Sequence, residues 1–574
     1  MPIKCDGSKS QNSIQLDGSV NKAIEGGRNR LLVLSCVFCL AFVVAGVRLL
    51  DVSVLRGLQE PIDVVEPTKE NLKIGRADIL DRNGILLATS LSVSSLYADP
   101  QEVIDINSTV EDLSTVLVNL EKEKLFAKLI QKKRFVWIKR GITPMQQAQI
   151  NALGLPGLHF QKEDRRFYPQ RNLSAHIVGF SGVDAAGLAG VEKQFDGRLR
   201  DGAEPMNLSI DIRIQHILKE EIKKQIINFN AIGGAGVFID VDSGEILGMV
   251  SLPDFDPNVL NSASADSKFN RATLGIYEMG STFKIFNTAL ALEAGTATME
   301  SGYDATRPIR IARFTINDFH PQKRWLSVPE IFQYSSNIGS AKMALDFGAE
   351  AQKEFMKKLG FLDRLPIELP ERGKPMYPAP WKKISAITIS YGHGIAISPL
   401  HLVSGVASVI NGGIRWPVTI LKKNAQSKMV GKQILSLQTS KDIRKVLRLV
   451  VENGTGKNAA AAGYLVGGKT GTADKQSPTG SYAKSSRLSS FVAAFPIHKP
   501  KYAVLVMVDE PKGNKKSFGY ATGGWVAAPA VRQIIKRSAP LLGLLPADEV
   551  SPQIRRLLEI KIPQQKRGNQ LASF

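Results

Sequence analysis

The rhythm of apolar and polar positions changes several times along the chain, and each change predicts a different element. A mostly polar start gives way to LLVLSCVFCLAFVVAGV, 17 residues from Leu31 to Val47 without a charge. A run of that length is just sufficient for a helix across a bilayer, and it reaches Leu50 when Arg48 turns its charged head toward the interface. From about residue 60 to 225, short strand-like runs mix with helical ones, broken by turn signals such as DRNG (81–84) and GLPG (154–157). From 233 onward the patterns sharpen. GAGVFIDVDSGEILGMVS (234–251) places two strand-like runs around a DSG turn and predicts a hairpin. SSFVAAFPIHKPKYAVLVMVDEP (489–511) predicts a second, across HKPK, followed by an apolar helix over 523–543. Between the hairpins lie helical segments, among them TFKIFNTALALEAG (282–295), which stops at Gly295 as helix C-termini often do. An antiparallel sheet assembled from both ends of this region, with helices packed on it, follows from that order: an α+β fold.

Composition narrows the possibilities. With 43% apolar and 22% charged residues, a chain of 574 residues has material for two or three domains with real cores. A net charge of +21 suggests an anionic partner. The basic residues fall in short clusters, QKKR (131–134) and IKR (138–140) for example, without zinc-finger spacing or an RNA-binding aromatic signature, so nucleic acid is not expected. The N-terminus accounts for the charge better. Lys4, Lys9, Lys22, Arg28 and Arg30 precede the apolar run, so the positive-inside rule keeps the first 30 residues in the cytoplasm and exports the rest. The alternative is a cleaved signal peptide, with VAG (44–46) as its small-residue site. The run is longer than the usual signal core, and Arg48 sits where a cleavage region disfavours charge, so an uncleaved anchor is expected. Cys5, Cys36 and Cys39 all fall in the tail or the anchor, leaving the exported part without a disulfide or a thiolate metal site.

Chemistry enters with YEMGSTFK (277–284), where a lysine follows a serine by three residues. Positions i and i+3 share a helix face, which brings the Lys284 amine beside the Ser281 hydroxyl. S-x-x-K alone is weak, since it occurs at Ser19, Ser281 and Ser481, but only Ser281 opens an apolar helix behind a glycine. Ser335-Ser336-Asn337 lies 54 residues downstream, and Lys469-Thr470-Gly471-Thr472 follows in VGGKTGTADK, before a strand. K-T-G occurs once in the chain, and the ordered set of three is far more specific than any member. A serine hydroxyl needs a base within hydrogen-bond reach, and Lys284 serves only when neutral, which requires burial and a nearby cation such as Lys469. Ser335 is placed to relay a proton to a leaving amine, and Asn337 to orient Lys284 and hold a substrate amide. Thr470 and Thr472 offer hydroxyls to a substrate carboxylate. The N–H groups of Ser281 and Thr472 suit an oxyanion, and Gly471 admits a substrate backbone.

On these residues the sequence resembles the class B penicillin-binding proteins, and within them the division-specific FtsI group. RADILDRNGILLATS (76–90), with Ala77 where glycine is usual, RRFYPQRNLSAHIVGFSG (165–182) and GLAGVEKQFDGRLRDG (187–202) match the family's spacer motifs. NRATLGIYEMGSTFK (270–284), with Met279 where proline is frequent, and ISYGHGIAISPLHL (389–402) match its catalytic domain. The resemblance implies a cytoplasmic tail (1–30), a transmembrane anchor (31–50), an elongated dimerisation-like pedestal (51–225), a transpeptidase domain of β-lactamase-like fold (226–545) and a basic tail (546–574). It implies a cofactor-free D,D-transpeptidase of the inner membrane, acting in the periplasm. Ser281 would attack the D-Ala-D-Ala bond of a peptidoglycan stem peptide, an amine of a neighbouring strand would resolve the acyl-enzyme, and β-lactams would acylate the same serine. A lipid-II polymerase of the FtsW type and other division proteins are the implied partners.

Other readings compete. EDRRF (163–167) resembles the glutamate motif of peptidoglycan glycosyltransferases, but Gln170 stands where that motif has histidine. STFKIFNTALALE also resembles the active-site helix of class D β-lactamases, which carry Y-G-N where this chain has Tyr391-Gly392-His393 and lack a long spacer. A membrane β-lactam sensor would have several spans where hydropathy here offers one. An elongation-type transpeptidase shares all three catalytic elements. His176, His393 and Glu278 are read as packing or capping residues, since no second histidine stands at metal-ligand spacing.

Overall fold

The computed structural model describes residues 19–50, 75–118, 120–202, 204–311, 314–424, 430–476 and 482–560. Lys4, Cys5 and Lys9 of the expected tail, Ser481 of the third S-x-x-K and residues 561–574 of the basic tail lie outside these. The chain forms two units, residues 1–73 and 74–574. In the first, helix α1 (Ser19–Leu50) carries the apolar run on exposed side chains. Its Arg30–Leu50 stretch is, among the described residues, the one helix long and apolar enough to cross a membrane. At 1.5 Å per residue it spans about 30 Å, the thickness of a hydrocarbon core.

The second unit begins with a small sheet. β1 (Ile79–Leu80) and β2 (Leu86–Ala98) are joined by the expected DRNG turn, in which Asp81 Oδ1 accepts from the N–H groups of Asn83 (2.7 Å) and Ile85 (2.8 Å). β2 pairs antiparallel with β3 (Val136–Ile142) and with β4 (Leu158–Phe167), while β1 pairs parallel with β5 (Met206–Asn207). The three spacer motifs meet here. Glu192, fully buried, accepts from Arg76 Nε and from Arg166 Nε (2.6 Å). Arg166 also donates to the carbonyls of Arg76 (2.9 Å) and Ala77 (2.8 Å), and Arg76 to Asp196 (2.7 Å). Both carboxylate oxygens of Glu192 are thereby matched by guanidinium donors, the arrangement that makes a buried charge tolerable. Ala77 stays outside the left-handed region, so alanine replaces the usual glycine there without strain.

The larger part is built on five antiparallel strands. β6 (Gly233–Asp240) and β7 (Ile246–Leu252) form the first expected hairpin. β8 (Gly467–Gln476) pairs with β9 (Tyr482–Phe495), and β9 forms the second expected hairpin with β10 (Tyr502–Asp509). β10 then pairs with β6, so strands from both ends of this region close one sheet in the order β8-β9-β10-β6-β7. Lys469-Thr470-Gly471 lies inside β8, an edge strand that starts at Gly467, and not ahead of it as the sequence suggested. The helices used below are α2 (Ile212–Asn228), α3 (Lys284–Glu293), α4 (Val328–Tyr334), α5 (Asn337–Leu359), α6 (Pro399–Ile410) and α7 (Gly523–Leu541). Strand side chains alternate between two cores. Phe238, Val504 and Val506 pack with residues of α2 and α7 such as Leu218, Ile222 and Val531, whereas Val237, Leu505 and Met507 join Phe283, Phe286 and Val406. This double burial explains why the central strands read as nearly continuous apolar runs.

Candidate active site

Ser281 does not open an α-helix. It sits in a 3-10 turn, Gly280–Phe283, and the α-helix α3 begins at Lys284. In that tighter winding residues i and i+3 eclipse one another, so the serine and lysine still meet, by a different geometry from the expected one. Gly280 has φ +55°, and a Cβ there would fall 2.5 Å from Thr472 O; the turn approaches β8 too closely for any other residue. Gly392, at φ +82°, packs as tightly against Gly280 from the other side.

The Lys284 amine is the hub. Its Nζ lies 2.9 Å from Ser281 Oγ and 3.1 Å from Ser335 Oγ, and donates to Ser335 O (2.8 Å) and Asn337 Oδ1 (2.7 Å). Two of these partners can only accept, so they take two N–H groups and leave a neutral amine's lone pair for the Ser281 hydroxyl. Burial and the neighbouring Lys469 hold the Lys284 ammonium well below the usual lysine range, while Asp318 acts in the opposite sense. Lys469, fully buried, donates to Ser335 Oγ (3.0 Å), and burial lowers it to about 7. Ser335 Oγ thus bridges the two lysines. Its backbone is left-handed (φ 60°), where the end of α4 turns into the start of α5.

The strand side of the cleft is made by β8. Thr470 Oγ1 shares a hydrogen bond with Thr455 Oγ1 (2.8 Å), and Thr472 Oγ1 accepts from Gly523 N (3.2 Å) at the start of α7. A Cβ on Gly471 would meet Ser490 Oγ at 2.3 Å and Met279 O at 2.8 Å. The fold therefore gathers Ser281, Lys284, Ser335, Asn337 and Lys469 into one connected group, with Thr470, Gly471 and Thr472 on the adjoining strand. A cavity of about 440 Å³, lined by Tyr277, Glu278, Met376, Tyr377, Asp474 and Lys475 among others, continues along this strand. A larger one, about 710 Å³, lies between β4 and residues 257–261 and includes none of these site residues. It is lined by Glu163 of EDRRF, which is paired with Arg140 (2.9 Å).

Two family models match: the Penicillin binding protein transpeptidase domain over residues 234–536, and the Penicillin-binding Protein dimerisation domain over residues 72–209. The chain belongs to the class B penicillin-binding proteins. Among its relatives, the probable peptidoglycan D,D-transpeptidase FtsI of Caulobacter vibrioides is 40% identical over 481 residues, 82% of each chain. The probable peptidoglycan D,D-transpeptidase PenA of Neisseria gonorrhoeae is 33% identical, over 82% of this chain and 85% of its own. Penicillin-binding protein 3 of Mycobacterium tuberculosis, solved with aztreonam, shares the fold at a TM-score of 0.65 and 21% identity, over 83% of this chain and 98% of that one.

Sequence reasoning about this class B protein missed two site elements. Thr455 and the Asn317–Asp318 loop stand far from the motifs in the chain and carry no spacing signal. Glu278, read as capping or packing, accepts from Gly394 N (2.7 Å) and ties the segment before Ser281 to the 391–394 loop. His176 is hydrogen-bonded to Ser267 O (2.9 Å) and is driven down to about 4 by burial, as a packed histidine would be.

Proposed function

We propose that this D,D-transpeptidase cross-links peptidoglycan stem peptides through an acyl-enzyme on Ser281. Neutral Lys284 takes the proton of Ser281 Oγ as that oxygen attacks the penultimate D-Ala carbonyl. The oxyanion is held by the N–H groups of Ser281 and Thr472. As the peptide bond breaks, a proton passes through Ser335 to the nitrogen of the departing D-alanine. Thr470 and Thr472 hold the terminal carboxylate, Lys469 is the cation that keeps Lys284 neutral, and Asn337 orients Lys284. An amine of a second stem then attacks the ester and regenerates the Ser281 hydroxyl. β-Lactams enter the same first step. The observation that carries this reading is the buried Lys284 amine, 2.9 Å from Ser281 Oγ, with its N–H groups occupied by carbonyl acceptors.

A fluorescent penicillin is expected to label the protein stoichiometrically and to leave Ser281→Ala unlabelled. Label retained by that variant ends the assignment. Acylation is also expected to be bell-shaped in pH. Its active form has Lys284 deprotonated, so the rate climbs as Lys284 loses its proton. It needs Lys469 protonated, so in the free enzyme the rate declines as pH rises through about 7. Lys469→Arg stays charged at every working pH and should abolish the alkaline limb; an unchanged limb assigns it to another group.

The wider setting belongs to the same reading. Residues 51–225 form the pedestal and 226–545 the catalytic domain; the two matched family models fall inside these bounds. The Arg30–Leu50 helix anchors the protein once in the cytoplasmic membrane, with the catalytic domain in the periplasm. A lipid-II polymerase of the FtsW type and other division proteins are its partners. Depletion should give filamentous cells; rounded cells would point to elongation instead.

A further inference from the structure

Ser335 and Asn337 are held by a loop that belongs to neither of their helices. The first N–H groups of a helix have no partner within it, and at α5 the local cap serves only one: Ser336 Oγ accepts from Gly339 N (3.0 Å). The Ser336 N–H donates to Ile331 O (2.9 Å), and Asp318, two residues beyond the short strand Phe314–Ile316, takes the N–H groups of Asn337 and Ile338. Its Oδ1 accepts from the N–H groups of Asn337 (2.6 Å) and Ile338 (3.0 Å), and its Oδ2 from Ser336 Oγ (2.7 Å). A carboxylate in that place also complements the positive end of α5. The neighbouring Asn317 carbonyl accepts from Asn337 Nδ2 (3.0 Å). That bond decides which way the Asn337 amide points. With Nδ2 on Asn317 O, Oδ1 faces Lys284 Nζ; turned over, the amide would set N–H groups against the amine.

We infer that Asp318 is a positioning residue for acylation: through α5 it fixes Ser335 and Asn337 on the Lys284 amine, and it supplies the anionic charge on that side of the base. The inference rests on the acyl-enzyme reading above. Among the described residues, three ionisable groups face Lys284 from the elements packed on it. They are Lys469 of β8, Asp318 of this loop and His393 of the 391–394 loop, itself faced by Glu278 and Asp474. Asp318 favours the ammonium of Lys284, whereas Lys469 opposes it. Removing the Asp318 charge therefore makes Lys284 easier to deprotonate.

The test is the rate of acylation by a fluorescent penicillin against pH, for the full chain and for Asp318→Asn and Asp318→Ala, with thermal melting alongside. Asp318→Asn keeps an acceptor for the two N–H groups but loses the charge. It should acylate about tenfold more slowly, with the acid limb moved to lower pH. Asp318→Ala loses both and should fall about a hundredfold; if it does not fold, Asp318→Asn carries the test. Wild-type rates in Asp318→Asn, or slower acylation with an unmoved acid limb, overturn the inference. Failure of the wild-type protein to label at Ser281 would instead overturn the acyl-enzyme reading.

Discussion

Lys284→Met is expected to fold and to lose penicillin acylation by a factor on the order of 10³, the usual scale for removing a general base. Methionine fills a similar space without an amine, so Ser281 keeps its place in the 3-10 turn and loses only its proton acceptor. Two half-buried acceptors, Ser335 O and Asn337 Oδ1, are left without their lysine donor. Leaving them unpaired costs about 1–3 kcal/mol each, offset in part because a buried amine is no longer desolvated. Lys284→Arg separates base from charge. A guanidinium keeps the positive charge but cannot give up its proton, so the loss should be as deep as in Lys284→Met. Rapid-mixing measurement of acylation decides the matter: an arginine variant with a tenth or more of the normal rate would show that position 284 acts by charge alone.

The largest effect on stability is expected at Glu192, far from the serine in the chain. Glu192→Ala strands Arg76 and Arg166, whose side chains are each 3% exposed, without their shared carboxylate. Breaking a buried pair by removing one partner costs about 3–5 kcal/mol, and here two cations lose the same partner. Asp196 remains for Arg76 but not for Arg166. Denaturant unfolding should show this loss, with penicillin labelling of the folded fraction unchanged. A shift under about 1 kcal/mol would mean that water enters and solvates both guanidinium groups.

Local chemistry was legible from sequence and distant chemistry was not. The two hairpins, the helix over 523–543 and the DRNG turn were readable because each is decided locally by alternation and turn chemistry. The meeting of Ser281 and Lys284 was readable because a spacing of three suits both an α-helix and a 3-10 turn, even though the wrong one was expected. β8 begins two residues ahead of Lys469, with the glycines at 467 and 468. They are glycines because β8 packs against Phe491 and Ile497 there, leaving no room for a Cβ.

The ordered motifs alone pointed to a serine, two lysines and an S-x-N segment as members of one site, and the apolar run alone determined a helix long enough to span. Tertiary structure decided how the protons are held. Which acceptors occupy the N–H groups of Lys284, which way the Asn337 amide faces and how deeply Lys469 is dried all depend on β8, α4, α5 and the Asp318 loop meeting from separate parts of the chain. So does the pairing of Glu192 with two arginines from other motifs. The physical reason is range: side-chain spacing carries hydrogen-bond reach over a single turn, whereas desolvation and charge are set by whatever the folded chain brings within a few ångströms.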